Sequence, residues 1–141
     1  MTGWRRLILT AGLAVSAAGC QMNSRDQVLA VDRTQVQLRS VSTRAFDTGD
    51  RNLTIRNVIA TLQDLNFVID KADDSLGTVS ATKFDTYVMR MTVTVRPRGD
   101  KQVAVRASAQ YNMVAVSDAK PYQQFFAALE KAMFLTANEI D

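Results

Sequence analysis

The sequence contains no histidine and only one cysteine. The absence of histidine removes the usual general base, the histidine-dependent nucleophile arrangements and the commonest transition-metal ligand. A single cysteine cannot form an intrachain disulfide and does not supply a set of thiolate ligands. These absences argue against an enzyme more strongly than any motif argues for one, so we expect no catalytic residue, no metal site and no cofactor.

The one cysteine, Cys20, closes an N-terminal stretch that is typical of an exported bacterial protein. Arg5 and Arg6 precede the apolar residues 7–15 and the small residues 16–19. This order resembles a lipobox, the signal at which bacterial lipoproteins are cut and acylated. The resemblance implies cleavage before Cys20, a diacylglycerol on its sulfur and a further acyl chain, such as palmitate, on the new amine. Three chains are enough for stable anchoring in a membrane.

Three other interpretations of this N-terminus remain open. They are an ordinary secretory signal in which Cys20 is incidental, an uncleaved transmembrane anchor, and twin-arginine export through Arg5 and Arg6. The apolar run is about half of the ~20 residues that span a bilayer. We therefore expect a lipoprotein signal peptide over residues 1–19. Gln21 stands where lipoproteins of the inner membrane commonly carry Asp, so the resemblance favours the outer membrane, with the protein facing the periplasm.

Removal of residues 1–19 leaves 122 residues, which is enough for one domain. The 17 basic residues then fall by two, while the 14 acidic residues all remain, so the expected mature chain is close to neutral. A net charge close to zero does not indicate that the protein binds nucleic acid. Residues 21–33 are polar and lack periodicity, which predicts a tether between the acylated Cys20 and a single domain over residues 34–141.

The first two predicted elements of this domain are a strand and a helix. Apolar residues of the range 55–65 recur at spacings of three and four, which predicts a helix that Asp50 or Asn52 caps and Asn66 closes. Imperfect alternation ahead of the helix predicts the strand, whose apolar residues are Val36, Leu38, Val41 and Phe46.

Four further strands and a second helix follow. Residues 67–70 and 76–82 predict a hairpin around a polar turn. The alternation of apolar and polar residues over 87–96 and 102–111 predicts two long antiparallel strands, each with one buried and one solvated face. Residues 118–136 predict a helix rich in aromatic residues. The order β-α-β-β-β-β-α favours an α+β domain in which both helices pack on the apolar face of an antiparallel sheet.

This order, with a strand meander against a long C-terminal helix, resembles the helix-grip domains of outer-membrane assembly lipoproteins, specifically of the accessory lipoprotein C of the β-barrel assembly machine. Residues 54–69 and 76–83 also resemble a set of short proteobacterial outer-membrane lipoproteins of unassigned activity. The resemblance implies a helix-grip fold and an accessory role in envelope assembly.

The solvated face of the predicted sheet carries the candidate partner-binding residues. Arg90, Arg96 and Arg106 should share this face, which is either an ordinary solvated surface or a docking surface for a protein partner, peptidoglycan or an anionic lipid headgroup. Tyr111 is a further candidate, because it begins the apolar stretch 111–116, which could extend the strand as a pairing edge.

An apolar cavity is the alternative candidate site. Several methionine and phenylalanine side chains either fill the core or line a cavity between the sheet and the C-terminal helix, where helix-grip folds can hold lipids. The aspartates of the range 70–74 favour a solvated turn over a calcium site, because an EF-hand glycine and distal glutamate are missing. The side chains of the predicted cavity are Met89, Met91, Met113, Met133, Phe125, Phe126 and Phe134.

These observations lead to two functional expectations. The first is a non-enzymatic lipoprotein on the periplasmic face of the outer membrane that acts as an accessory or scaffolding subunit of an envelope assembly or export complex. The alternative is a lipid-binding or lipid-shuttling module with an apolar cavity under the C-terminal helix. Both place the protein on a membrane through Cys20, and the first also requires an envelope protein partner. The sequence leaves the oligomeric state open.

Overall fold

The computed structural model of the protein describes residues 34–138. The predicted signal peptide, Cys20 and the predicted tether lie outside the described residues. The described chain contains three helices and six strands. In chain order they are α1 (34–42), β1 (Thr43–Phe46), α2 (Arg51–Asp64), β2 (Val68–Asp73), β3 (Thr78–Phe84), β4 (Val88–Arg98), β5 (Gln102–Tyr111), β6 (Val114–Ala115) and α3 (Lys120–Asn138).

The six strands form one antiparallel sheet, which confirms the predicted α+β class. The strand order is β1-β5-β4-β3-β2, and β6 pairs with the end of β5. The β4 and β5 strands pair over nearly their whole length, from Met89 opposite Tyr111 to Arg98 opposite Gln102. This long hairpin is the one that the alternation of residues 87–96 and 102–111 predicts. The resemblance to a helix-grip domain stays a prediction.

One face of the sheet is buried beneath the helices. Met91 and Val93 lie opposite Ala109 and Ala107, and all four are buried. The α2 helix packs against β2, β3 and β4, while α3 packs against β5 and α2. On the opposite face of the sheet, the described side chains are exposed or half-buried, apart from that of Thr82. The alternation of the strands thus separates a closed apolar face from an open polar one.

Residues at both ends of α2 satisfy backbone groups that the helix leaves unpaired. The carboxylate of Asp50 accepts a hydrogen bond of 2.8 Å from the N–H of Leu53, so Asp50 is the N-cap and Asn52 lies within the helix. Beyond the C-cap Leu65, Asn66 adopts a φ of 65°, the left-handed conformation that commonly ends helices. The predicted boundaries of this helix are therefore confirmed.

The predicted first strand is wrong over most of its length. Residues 34–42 form α1, and the strand that follows begins only at Thr43. Leu38 and Val41 lie three residues apart, which places both on one side of a helix, and both pack half-buried against the core. Val36 is exposed. The apolar residues of this segment therefore follow a helical spacing, which over so few residues resembles the imperfect alternation of a strand.

The β2–β3 hairpin is longer than predicted and is shaped by two aspartates. The bulge between Ile69 and Lys71 sets Asp70 outside the regular pairing, where its carboxylate accepts a 2.6 Å hydrogen bond from the hydroxyl of Thr82. The carboxylate of Asp73 accepts hydrogen bonds from Ser75 Oγ at 2.6 Å and from the N–H of the residue after it at 3.0 Å. These bonds, that from Ser75 first, hold the pKa of Asp73 below its usual value.

The α3 helix supplies the bulkiest part of the core. Phe125, Phe126 and Leu129 are fully buried, and the two phenylalanine rings meet edge to face with centroids 5.1 Å apart. The hydroxyl of Thr136 donates to Oδ1 of Asn57 at 3.0 Å, which ties the end of α3 to α2. None of the described helices, α3 included, is both long and apolar enough to cross a membrane.

Candidate binding surfaces

The first candidate surface is the sheet face that points away from α2 and α3, and we call it the open face. It consists of the outward side chains at alternate positions of β4, from 90 to 98, and of β5, from 102 to 110, with their neighbours on β3. The strand register fixes these positions, because side chains directly opposite each other in an antiparallel pair share a face.

Two of the predicted arginines lie close together on the open face. Arg96 is opposite Ala104, and Arg106 is opposite Thr94, so the two arginines are diagonal neighbours on adjacent strands. Such neighbours lie about 7–8 Å apart, within reach of long side chains. Arg98 follows on the same face of β4, two residues beyond Arg96. We call these three exposed residues the arginine cluster.

Arg90 shares the open face but does not join the arginine cluster. It lies opposite Gln110 and six residues from Arg96, which corresponds to about 20 Å along a strand at ~3.4 Å per residue. Arg98, in contrast, is not among the predicted binding residues. The predicted strand ends at residue 96, whereas β4 and its alternation continue to Arg98.

The arginine cluster carries positive charge without a compensating ion pair. Among the described residues, the one salt bridge joins Arg44 to Glu130, and neither residue belongs to the open face. Arg44 lies opposite Val105 on the helix-covered side, where its guanidinium also lies 5.5 Å from the centroid of the Phe126 ring. The three arginines of the cluster therefore present unpaired guanidinium groups to the surroundings.

Small hydroxyl side chains form the middle of the open face. Ser80 on β3 and Thr92 on β4 lie opposite each other with their hydroxyl oxygens 3.4 Å apart, and Ser108 continues the row on β5. Because these side chains are short, the longer arginine side chains extend beyond them towards the solvent. Since an arginine fork can bind a carboxylate or phosphate through two hydrogen bonds at once, this surface suits a partner that presents anionic groups.

Tyr111 lies on the other side of the sheet from the arginines. It is opposite Met89, whose side chain packs against the core, and its ring meets that of Tyr87 edge to face with centroids 6.2 Å apart. The predicted extension of the strand through residues 111–116 is wrong, because the chain reverses at Asn112, which has a φ of 53°. Val114 then pairs back with Tyr111 as part of β6.

A pocket of about 450 Å³ is the second candidate site. It lies beside the first turn of α3, where the ends of β3, β4 and β5 meet the end of α2. Its volume falls within the range of about 300–1,000 Å³ that is usual for small-molecule sites. The apolar and aromatic residues of its lining are Leu65, Phe67, Tyr87, Met89, Met91, Tyr111 and Pro121.

The pocket differs from the predicted cavity in position and in lining. Of the seven side chains predicted to line a cavity, Met89 and Met91 do so. Phe125 and Phe126 are fully buried in the core, and Met113 is 91% exposed. Phe134 is likewise exposed, and the sulfur of Met133 accepts a hydrogen bond from Asn57 Nδ2 at 3.3 Å. The side chains beneath the middle of α3 pack as core, and the pocket opens at the start of that helix.

Charged residues of both signs stand at the pocket. The ammonium of Lys83 lies 5.8 Å from the centroid of the Phe67 ring. Asp118 accepts a hydrogen bond of 3.0 Å from the N–H of Lys120, and Asp85 accepts one of 2.8 Å from the N–H of the next residue. Within the described chain, neither lysine makes an ion pair. The pocket therefore combines an apolar lining with two ammonium groups and two carboxylates.

The chain matches no protein-family model and no curated protein. Among the described residues, no group of three or more cysteine, aspartate or glutamate side chains is placed to hold a metal ion. The open face and the pocket are therefore described by their own residues.

Proposed function

We propose that this protein is a non-enzymatic, lipid-anchored accessory subunit on the periplasmic face of the outer membrane. Acyl chains on Cys20 hold it at the membrane, and the open face binds an envelope protein of an assembly or export complex. The observation that carries this proposal is the arginine cluster, in which Arg96, Arg98 and Arg106 converge on one face without an ion pair within the described residues.

A docking role explains why these arginines are left unpaired. Arginine is enriched at protein interfaces, where its planar fork recognises carboxylates and its charge steers the approach of an acidic partner. The open face also presents two adjacent strands, β4 and β5, which pair with each other from Met89 to Arg98 as a single hairpin. The sheet therefore keeps the backbone of this surface rigid, so that little conformational entropy is lost when a partner binds. The partner that fits it carries clustered aspartate or glutamate side chains.

Site-specific crosslinking in intact cells tests the docking role. A photo-crosslinking residue in place of Ser108, which is exposed on the open face between Arg90 and the arginine cluster, should trap one envelope protein in stoichiometric amounts. The crosslinked peptide of that protein should contain acidic residues. The double variant Arg96→Glu/Arg106→Glu should abolish the adduct, because both guanidinium groups then become carboxylates and repel the acidic partner.

The exposed Lys131 of α3 provides the matched control for the crosslinking experiment. A crosslinker at that position should not trap the same protein, and Lys131→Glu should leave the adduct at Ser108 intact. An adduct that survives the double charge reversal would show that the arginine cluster does not form the interface.

Membrane attachment through Cys20 is tested separately. The Cys20→Ser variant cannot carry a thioether-linked lipid, so it should lose metabolic labelling with palmitate and leave the membrane fraction. Retention of the variant in the outer membrane would refute attachment through this residue. The crosslinking result does not depend on this outcome, because the open face lies in the described domain.

A second candidate function, the binding or shuttling of a lipid, is favoured by the pocket. Its aromatic and methionine side chains suit an acyl chain, and Lys83 and Lys120 can meet an anionic headgroup. A fluorescent long-chain fatty acid should bind the purified protein saturably, and Met89→Trp should abolish this binding by filling the pocket. Met113→Trp is the matched control, because Met113 is exposed and does not line the pocket. Equal binding by both variants would place the lipid elsewhere.

A further inference from the structure

Two turns at one end of the sheet lie side by side. One joins β3 to β4 and the other joins β5 to β6. The N–H of Asn112 in the second turn donates to the carbonyl of Val88 next to the first, at 2.9 Å. The rings of Tyr87 and Tyr111 also meet here, edge to face. We call this end the hairpin tips and define it as residues 84–88 and 111–114.

The hairpin tips concentrate exposed apolar side chains. Six of the eleven large apolar side chains that are exposed in the described residues belong to the tips, either in the two turns or at the strand ends beside them. Phe84, at the end of β3, is 72% exposed, and Met113, in the turn between β5 and β6, is 91% exposed. Turns usually carry small and polar residues, and clustered exposed apolar side chains mark contact sites with proteins or membranes. The tips therefore present a clustered apolar surface that the described chain leaves uncovered.

We infer that the hairpin tips insert into the interfacial region of the lipid bilayer to which the protein is anchored. The inference rests on the proposed attachment through Cys20. Thirteen residues separate Cys20 from residue 34, so the connection spans at most about 50 Å even when fully extended. A connection of this length keeps the domain near the membrane and its surface within reach of the lipid.

The direction of β1 indicates that this part is the hairpin tips. β1 runs from Thr43 opposite Arg106 to Phe46 opposite Val103. β5 runs the other way, towards Tyr111 at the tips, so β1 leads away from them. The chain that follows the anchor thus enters the sheet from the half that is nearer the tips.

The side chains of the tips also match the chemistry of a membrane interface. Tyrosine is enriched at that depth, because its ring is apolar and its hydroxyl can stay hydrated. Lys83 and Lys120 stand beside the tips at the adjoining pocket, where their long stems can extend the ammonium groups towards lipid phosphates. The one carboxylate within the tips, that of Asp85, already accepts a hydrogen bond from the N–H of Thr86.

Depth-dependent fluorescence quenching tests this inference on the full lipid-modified protein. The only tryptophan of the sequence is Trp4, which the predicted cleavage removes, so an introduced tryptophan can report its own position. Phe84→Trp should give a blue-shifted emission in vesicles of phosphatidylethanolamine and phosphatidylglycerol, and acyl-chain brominated lipids should quench it. Met113→Trp should behave in the same way, because it samples the other turn.

Phe134→Trp is the matched control, since Phe134 is similarly exposed, at 66%, but lies near the end of α3. Its emission should show neither the shift nor the quenching. Equal quenching at residues 84 and 134, or none at 84, overturns the insertion of the tips while the anchor stands. A shift of the residue 84 emission that requires a purified envelope protein instead of lipid assigns the tips to a protein contact and also overturns it. If the wild-type protein fails to float with the vesicles, the anchor and the insertion are both refuted.

Discussion

The hydroxyl of Tyr122 in the first turn of α3 donates a hydrogen bond of 2.9 Å to the carbonyl oxygen of Val116. The hydroxyl oxygen of Tyr122 also accepts a 3.2 Å hydrogen bond from the N–H of Ala109 on β5. This part of the edge of β5 lies between the residues that pair with β1 and those that pair with β6. A single buried hydroxyl therefore completes the sheet edge and fixes the start of α3, which forms one wall of the pocket.

Removal of that hydroxyl should destabilise the protein. In Tyr122→Phe, the buried N–H of Ala109 loses its hydrogen-bond acceptor, and such a loss costs about 1–3 kcal/mol. The midpoint of urea unfolding should fall, while the slope of the free energy of unfolding against urea concentration stays the same. Tyr87→Phe is the matched control, because Tyr87 is exposed and should change the free energy of unfolding by less than about 0.5 kcal/mol. Equal midpoints for the two variants would contradict this role of Tyr122.

A second prediction concerns two buried threonines of α2. Thr61 has a buried hydroxyl without a hydrogen-bond partner, whereas the hydroxyl of Thr54 donates to the carbonyl oxygen of Asp50 at 2.8 Å. Thr61→Val should therefore leave the stability unchanged or raise it by up to about 1 kcal/mol, because it removes an unsatisfied polar atom. Thr54→Val should lower it by about 1 kcal/mol. Thermal unfolding measures both, and a larger loss for Thr61→Val would show that its hydroxyl has a partner.

The sequence predicts best those elements in which buried apolar residues recur at one regular spacing over many residues. The β4–β5 hairpin alternates over about ten residues on each strand, and its buried positions, such as Val93 and Val105, are the predicted ones. The α2 helix likewise combines a regular apolar spacing with an aspartate at its N-cap. Long runs of one period leave little ambiguity, because a shift by one residue would expose the whole apolar set.

The sequence predicts short elements poorly, because residues distant in the chain determine whether they form a helix or a strand. The strand assigned to residues 36–46 keeps only Thr43–Phe46, the part that pairs with β5. The two residues of β6 form a strand only because β5 leaves an edge beside them. The pocket was misplaced for a related reason. Its lining comes from four separate segments of the chain, and no local pattern shows where helix and strand ends leave space.

The carboxylate of Asp73 should make stability depend on pH in the acid range. The hydrogen bonds from Ser75 and from the N–H of Leu76 favour its charged form and lower its pKa from 3.8. Because the pKa is lower in the folded state, the stabilisation is complete above the unfolded value and is lost as the pH falls through the lowered folded value. Ser75→Ala should raise the pKa of Asp73 in an NMR titration and weaken the acid dependence. An unchanged titration would show that the hydroxyl does not stabilise the carboxylate.

Two glycines with the same backbone conformation should differ in their tolerance of alanine. Gly77 and Gly99 have φ angles of 67° and 65°, and this left-handed conformation costs about 1–2 kcal/mol for a residue with a side chain. At Gly99, no atom lies within 4 Å of an added Cβ, so Gly99→Ala should cost only that strain. At Gly77, the added Cβ would overlap the carbonyl oxygen of Val95 and the guanidinium of Arg51.

The overlap at Gly77 falls on a junction between two hairpins and α2. The N–H of Val95 donates to the carbonyl of Gly77 at 2.7 Å, and the Arg51 guanidinium donates to the carbonyl of Ser75 at 3.0 Å. Gly77→Ala must displace backbone that these bonds hold, so it should cost at least about 1–3 kcal/mol more than Gly99→Ala. Chemical denaturation of the two variants measures the difference. Equal losses would mean that the backbone around Gly77 yields freely, and that Arg51 does not fix the β2–β3 turn against β4.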